Sequence, residues 1–285
     1  MYSRRQLIED LCDLGVGPGD IVMVHASVRA VGEVAGGPDQ IHLALKDAVG
    51  PDGTIMMYAS CPDYYDDVGR GNLTSRQEAE VLEKLPAFDA NTARAARDNG
   101  TLVEFFRTFP GALVNQHVAR FVVRGRQAEF LISEQPWSYA FGKGSALDRL
   151  VTLNGKILLL GSDHDAVTFL HYAEHVADFA DKRVVRCKVP VQVNGQRVWR
   201  DMEEFDTSAG AHVNWPARFF AKITDSYLSR SRNRGGKVGL AMCYLLAARE
   251  LLEYALPIMS AVARNRHAAD GLLEFGQAAT GRLSP

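Results

Sequence analysis

The sequence predicts an α/β fold with a mostly parallel or mixed central sheet flanked by helices, a helical C-terminal part and an inserted β-hairpin. Two apolar runs, "DIVMVHASV" (20–28) and "GTIMMYAS" (53–60), predict buried strands on either side of a helix at 36–50, which is the order of a βαβ unit. A third apolar run, "KILLLGS" (156–162), predicts another buried strand. The dipeptide "NG" at 194–195 separates two strand-like segments and is the strongest hairpin signal in the chain.

The other elements follow from periodicity and turn residues. Leu7, Leu11 and Leu14 share one face of an opening helix. A polar, turn-rich stretch from Cys61 to about Gly100, with a helix around "SRQEAEVLEKL", is too long for a simple connector, so we expect it to be functional. Further predictions are a capped helix at 99–109, a strand at 118–125 and a helical last third from about 211 to 281, with an apolar stripe formed by Leu240, Tyr244, Ala247, Leu251, Ala255 and Met259.

Composition and charge are those of an ordinary globular protein. The 285 residues are 47% hydrophobic and 23% charged, and we expect a single domain over residues 1–285. The formal net charge of -2 gives no reason to expect nucleic acid as a partner. The first residues lack the apolar region of a signal peptide, and no apolar run approaches the roughly 20 residues of a membrane span. We therefore expect a cytoplasmic protein with no membrane partner, as a monomer or homodimer.

The cysteines indicate the same compartment. Cys12, Cys61, Cys187 and Cys243 are far apart in the chain, and none belongs to a C-x-x-C pair. Scattered cysteines in a chain of this size predict reduced, mostly buried thiols rather than a disulfide framework.

The segment "TFLHYAEH" carries the clearest candidate chemistry. His171, Glu174 and His175 form an H-x-x-E-H pattern, which is typical of one class of zinc peptidases. On a helix Thr168, His171 and Glu174 share one face, because they are three residues apart. Spacing alone leaves three interpretations open, namely a solvated helix face, an acid–base site and a metal site.

The acid–base and zinc interpretations make different demands. A histidine held by a carboxylate is a common general base near neutral pH, and a threonine hydroxyl one turn earlier could donate to a developing oxyanion. A zinc site needs a third protein ligand. Glu250 and Glu253 are candidates for it, but nothing in the sequence distinguishes them, so zinc is the minor alternative.

Two further regions are candidates for ligand binding. The stretch "HASVR" (25–29) follows the first strand, where open α/β sheets place their ligand sites, and its backbone amides, Ser27 and Arg29 could hold a phosphorylated cofactor. An ordinary turn is the alternative. Acidic residues cluster at 63–67, beside tyrosines, and at 201–206. Such runs are usually solvated surface, although carboxylates among aromatic rings would suit a polyamine or an amino sugar.

Taken together, these motifs resemble the aminoglycoside N(3)-acetyltransferase family over roughly residues 5 to 260. The opening "LGVGPGDIVMVHASVRAVG" is similar to the start of that family, and "GPDGTIMM", "NGTLVEFFRTFPG", His117 and "FGKGSALDRL" follow in the family order. The most specific match is "GKILLLGSDHDAVTFLHYAE" (155–174). The resemblance rests on this order rather than on any one motif.

The resemblance implies direct acetyl transfer from acetyl-coenzyme A to the 3-amino group of the 2-deoxystreptamine ring of an aminoglycoside, without a metal. It implies that His171 is the general base, that Glu174 orients it and that Thr168 holds the thioester carbonyl. His175 is then a bystander. The residues implied to line coenzyme A are His25, Ala26, Ser27, Val28, Arg29, Ala112, Leu113, Val114 and Asn115. Glu204 and Asp206 match a family acidic pair near the substrate, whereas Asp63 and Tyr64 are substrate candidates from charge alone.

Some positions depart from the family pattern, and other functions remain open. Ala26, Val167 and Phe169 stand where the family usually has Ser, Asn and Thr. One alternative is an acyl-coenzyme A-dependent transferase that acts on another amine, such as a biosynthetic intermediate. A remote alternative is a zinc hydrolase that uses His171 and His175, and a last one is a protein that only binds cationic drugs.

Overall fold

A mixed β-sheet forms the centre of the computed structural model, which describes residues 1–62 and 64–270. The strands are β1 (Ile21–Ala26), β2 (Thr54–Tyr58), β3 (Leu113–Val114), β4 (Phe121–Gly125), β5 (Lys156–Leu160), β6 (Val184–Val193), β7 (Gln196–Phe205), β8 (Gly236–Val238) and β9 (Ala241–Ala247). Seven of these described strands form the sheet in the order β3-β4-β2-β1-β5-β9-β8. β1 pairs in parallel with β2 and β5, and the remaining pairs are antiparallel. The predicted mixed α/β sheet is confirmed.

Helices cover both faces of the sheet. They are α1 (Arg4–Asp13), α2 (Val28–Val31), α3 (Asp39–Val49), α4 (Ser75–Lys84), α5 (Thr101–Thr108), α6 (Ala128–Ile132), α7 (Ala146–Thr152), α8 (Leu170–Val176), α9 (Phe219–Arg230) and α10 (Ala248–Arg264). The helices α1, α3 and α5 share one hydrophobic core with the sheet. The helices α6 to α10 share a second core on the other face. This arrangement covers the almost continuously apolar strands β1, β2 and β5 on both sides.

The prediction that the last third is helical is wrong over β8 and β9. The predicted apolar stripe breaks there, because Leu240 is 64% exposed and lies in the turn between the two strands. Periodicity cannot distinguish a short buried strand from a segment of buried helix, because both are continuously apolar. The edge of β5 that β1 leaves unpaired needs a hydrogen-bonding partner, and β9 supplies it. The stripe is correct from α10 onward, where the buried residues include Leu251, Ala255 and Met259. The predicted helical residues 271–281 lie outside the described residues.

The predicted hairpin is confirmed. β6 and β7 pair along their whole length and are joined by Asn194 and Gly195, both with positive φ. Phe88, from the long polar segment, forms a β-bridge with Val191 and so extends the hairpin on one side. The end of β7 lies against α8, since Glu204 contacts His175. The hairpin is therefore a support for the helix that carries the candidate base.

The cysteines and the helices of the structure bear on the expected thiol chemistry and on the absence of a membrane span. Within the described residues, all four cysteines are free, and Cys61, Cys187 and Cys243 are buried, as expected for structural thiols. Across residues 1–62 and 64–270, no helix has the length and apolar character needed to cross a bilayer.

Arg120 fixes the long polar segment that the sequence marked as functional. The residue is fully buried, and its guanidinium donates to the carbonyl oxygens of Ala90, Ala93 and Arg94 at 2.6 to 2.8 Å. Burial lowers the pKa of Arg120 to about 10, so it remains charged at neutral pH. The backbone of Arg120 also accepts from the amide of Ala59. Arg120 thus connects the end of β2 to the segment that leads into α5.

The replacement Arg120→Met should lower the free energy of unfolding by about 3 kcal/mol, because it leaves several buried carbonyl groups without a donor. The matched control is Arg197→Met, since the exposed Arg197 also donates to two backbone carbonyls, those of Leu82 and Glu83. That control should cost less than about 1 kcal/mol. Urea unfolding measures both, and equal costs would contradict the role given to Arg120.

Candidate active site

A cavity of about 890 Å³ opens where the parallel strands β1 and β5 end. The amide of Ser27 donates to the carbonyl of Leu160 at 3.0 Å, which is the last bond between the two strands. Beyond it the chain turns into α2 on one side and toward α8 on the other. All of residues 25–29 line the cavity, and so do Thr168 and His171. The structure therefore brings two separately predicted segments to one place.

The start of α5 forms another part of the cavity wall that the sequence did not single out. Residues 98–103 line the cavity. The helix begins after Gly100, whose φ is +82°, and among the described residues no side chain caps it, contrary to the predicted capped helix. A Cβ at position 100 would lie 3.0 Å from the carbonyl oxygen of Ala26, so glycine permits this close approach. The positive end of the helix dipole consequently lies at the cavity.

The candidate base and its carboxylate lie on α8. The amide of His171 donates to the carbonyl of Thr168 at 3.0 Å, which places Thr168 on the turn before the helix rather than within it. Nδ1 of His171 lies 2.7 Å from Oε2 of Glu174, whose side chain is 1% exposed. The other oxygen, Oε1, accepts from the indole N–H of Trp215 at 2.7 Å. The solvated-face interpretation is therefore wrong for Glu174.

The second ring nitrogen of His171 is available to a ligand. Among the described residues, no group forms a hydrogen bond with Nε2. Phe141 and Phe220 pack against the imidazole with centroid distances of 5.3 and 4.8 Å, and these contacts limit its rotation. With Nδ1 directed to Glu174, a neutral His171 has its lone pair on Nε2, which is the form that accepts a proton.

A second cavity, of about 300 Å³, meets the first at His171. Both cavities are lined by His171, Asp165, Thr207 and Phe220. Glu174 and Trp215 line only the second one. His171 thus lies where the two cavities meet.

His25 contributes an uncharged ring to the first cavity. Burial lowers the pKa of His25 to about 4, so the imidazole is neutral at physiological pH. Its Nε2 atom is buried and has no hydrogen-bond partner among the described residues. A neutral ring at this point neither attracts nor repels a charged ligand strongly.

Two of the three departures from the family pattern lie away from the cavities. Val167 and Phe169 are both 0% exposed and pack in the core beneath α8. Only Ala26 lines the larger cavity. The two core substitutions therefore act on packing rather than on a ligand.

His175 is buried and paired, which revises its description as a bystander. Its side chain is 3% exposed, Nε2 lies 2.5 Å from Oε1 of Glu204, and Nδ1 lies 2.6 Å from the carbonyl of His171. Glu204 also accepts from the amides of Ala140 and Phe205. Because both nitrogens of His175 are engaged, the two histidines do not converge on a shared metal position. Within the described residues, no group of three or more His, Cys, Asp or Glu side chains could hold a metal ion.

The structure does not bring the other predicted binding residues to these cavities. Ala112 and Leu113 line neither cavity, while Val114 and Asn115 line a separate one with Trp137 and Arg200. Tyr64 lines a surface groove beside α4, and Asp63 lies outside the described residues. Glu204 is buried in its pair with His175. Asp206 accepts from the amides of Ser208 and Ala209 and so stabilises a turn.

The replacement His175→Ala should lower the free energy of unfolding by about 3 kcal/mol or more, because it leaves the charge of Glu204 buried without its partner. The matched control is Arg186→Ala, which removes the partner of the half-exposed Glu203 on the same strand and should cost less than about 1 kcal/mol. Urea unfolding measures the two costs. The folded His175→Ala enzyme should keep most of its turnover, and a wild-type unfolding curve would contradict the structural role.

Comparison with known proteins gives the same family throughout. The family model described as aminoglycoside 3-N-acetyltransferase matches residues 23–260. Aminoglycoside N(3)-acetyltransferase III from Pseudomonas aeruginosa is 39% identical over 256 residues, which cover 90% of this chain and 92% of the relative. Aminoglycoside N(3)-acetyltransferase IX from Micromonospora chalcea is 37% identical over 263 residues, which cover 89% and 92%.

Solved structures agree in fold as well as in sequence. The structure of AAC-IIIb in a binary complex with CoASH has a TM-score of 0.85 and 38% identity, and the match covers 90% of this chain and 96% of that one. The structure of AAC-VIa bound to sisomicin has a TM-score of 0.84 and 36% identity, with 91% and 98% covered. On this evidence the chain belongs to the aminoglycoside 3-N-acetyltransferase family.

Proposed function

We propose that this protein transfers an acetyl group directly from acetyl-coenzyme A to the 3-amino group of the 2-deoxystreptamine ring of an aminoglycoside, with His171 as the general base. The observation that carries the proposal is the position of His171 at the junction of two cavities. Direct transfer needs both substrates bound at once, with the amine against the thioester carbon and the base within hydrogen-bond reach of the amine. Family membership and the neighbours bound to CoASH and to sisomicin support the choice of substrates.

The larger cavity suits the extended acetyl-coenzyme A. Its volume of about 890 Å³ is large enough for a long, flexible molecule, and all of residues 25–29 line the wall. Arg29 provides a positive charge near phosphate groups, and the uncapped start of α5 provides a positive helix end. The proposal therefore assigns the predicted stretch 25–29, together with residues 98–103, to the cofactor.

The carboxylates at the junction suit a polycationic substrate. Asp165 lines both cavities, and Asp163, which is paired with Arg218, lines the larger one beside it. One oxygen of Asp165 accepts from the amide of Ala221 at 2.9 Å, and this bond holds the side chain in place. We propose that Asp165 contacts an ammonium group of the aminoglycoside. Resistance to these antibiotics would follow from loss of the positive charge at the acetylated amine.

The amine attacks as the free base, after its ammonium form has released one proton to solvent, and the chain's own residues account for the proton that then moves. Nε2 of His171 takes a proton from the amine as its nitrogen bonds to the thioester carbon. Glu174 holds Nδ1–H and stabilises the imidazolium that results. Thr168 donates to the carbonyl oxygen as it becomes negatively charged. When the carbon–sulfur bond breaks, the thiolate leaves, and His171 returns the proton to give the free thiol.

The replacement His171→Ala should lower kcat by roughly 100-fold or more while KM for both substrates stays near the wild-type value, since a general base contributes that much to the rate. Thiol release from acetyl-coenzyme A in the presence of sisomicin or another aminoglycoside measures the turnover. The matched control is His164→Ala, because His164 is also paired with a carboxylate, that of Asp225, yet lines neither cavity.

The control should retain activity close to that of the wild type. A His171→Ala enzyme with near-wild-type turnover would disprove the proposed mechanism. Thiol release with an unrelated amine and none with any aminoglycoside would instead disprove the proposed substrate.

A further inference from the structure

Glu174 accepts a hydrogen bond from a side chain other than His171. Trp215 donates its indole N–H to Oε1 of Glu174 at 2.7 Å, on the opposite carboxylate oxygen from His171. The amide of Ala211 is a longer second donor to the same oxygen, at 3.5 Å. The side chain of Glu174 is 1% exposed, so such donors take the place of water as its hydrogen-bond partners.

The loop that carries Trp215 is built around its indole ring. Gly210 has a φ of +86°, and a Cβ there would lie 2.7 Å from Cδ1 of the indole. On its other side the loop is anchored to α10, because the side-chain amide of Asn214 donates to the carbonyl of Ala263 at 2.8 Å. Phe179 and Phe219 pack on the ring with centroid distances of 5.1 and 4.8 Å. The N–H is thus directed at Glu174 by contacts on several sides.

We propose that Trp215 is a positioning residue of the acetyl transfer, which sets the basicity of His171 through Glu174. This inference rests on the proposed role of His171 as the base. The indole N–H stabilises negative charge on Glu174, and that charge has the least compensation from a positive group when His171 is neutral. When His171 carries a proton, the imidazolium already offsets the charge. The donor therefore favours the neutral, proton-accepting form of His171.

Apart from His171, the described charged and titratable groups near Glu174 do not donate a side-chain hydrogen bond to it as Trp215 does. Lys182 lies on the loop after α8, interacts electrostatically with Glu174 and donates to the carbonyl of His175 at 2.9 Å. Asp165 lines the same small cavity on the side of α9. His212 packs at a tilt against Trp215, with ring centroids 5.5 Å apart, and its Nδ1 accepts from the backbone amide of Asn214. Apart from His171, Trp215 is the one side chain among the described residues that donates a hydrogen bond to Glu174.

The test compares the pH dependence of kcat/KM in the wild type and in Trp215→Phe, which keeps an aromatic ring but removes the N–H. Loss of the donor destabilises the state with neutral His171 more than the state with protonated His171. The rising limb of the kcat/KM profile should therefore move to higher pH by about one unit, and kcat/KM near pH 7 should fall by as much as about tenfold. Activity should recover at higher pH, and KM for acetyl-coenzyme A should change little. The matched control is Trp199→Phe on β7, which should keep the wild-type profile.

Each outcome has a distinct meaning when His171→Ala and Glu174→Gln are measured alongside. Loss of turnover in both of these, with a wild-type pH profile in Trp215→Phe, would overturn the role of Trp215 and leave the proposed function intact. Near-wild-type turnover in both would overturn the proposed role of His171 as the base, on which the inference rests. A lower melting temperature of Trp215→Phe without a shifted limb would show a merely structural role.

A second variant keeps the test decisive if Trp215→Phe does not fold. Site-specific replacement of Trp215 by 3-benzothienylalanine puts sulfur in place of the indole N–H and preserves the shape of the ring. The same upward shift of the rising limb is expected. An unchanged limb would overturn the inference.

Discussion

The parallel pairing of β1 with β5 is the constraint on which the site depends. These strands are far apart in the sequence, yet their carboxyl ends meet at one edge of the sheet. The hydrogen bond from Ser27 to Leu160 is the last one between the two strands. The segments that follow β1 and β5 then leave the sheet and line the same cavity. Without this pairing, residues 25–29 and the segment that carries Thr168 and His171 would not share a cavity.

The helix that carries the base is short, and its neighbours hold it. α8 has seven residues, fewer than an isolated helix needs to be stable in water. Two buried carboxylates secure it, because Glu174 binds His171 and Trp215 on the side of the cavities, while Glu204 binds His175 from the hairpin. The ionic groups that give the helix its chemistry thus also hold it in place, and the hairpin supports the helix through Glu204.

The sequence predicted most of the sheet and the central pair of the site for physical reasons. Continuous apolar runs mark β1, β2 and β5, and three-residue spacing places His171 and Glu174 on one helix face. It failed for β9, because a short apolar strand and a buried helix give the same pattern. It also gave no indication of Trp215, since a lone tryptophan in a polar loop has no periodicity. The start of α5 had one weak signal, the glycine that precedes an apolar helix.

By itself the sequence determined which residues have the chemistry, because side-chain type and local spacing do not depend on distant contacts. It determined the α/β class, the hairpin turn, the family and the His171–Glu174 pair. The tertiary structure decided what surrounds each of these residues. It paired His175 with Glu204, left Glu204 outside the lining of the two cavities at His171, and brought Gly100 and Trp215 to those cavities. Burial and long-range hydrogen bonds decide the charge and direction of a side chain, and both arise only when segments far apart in the chain pack together.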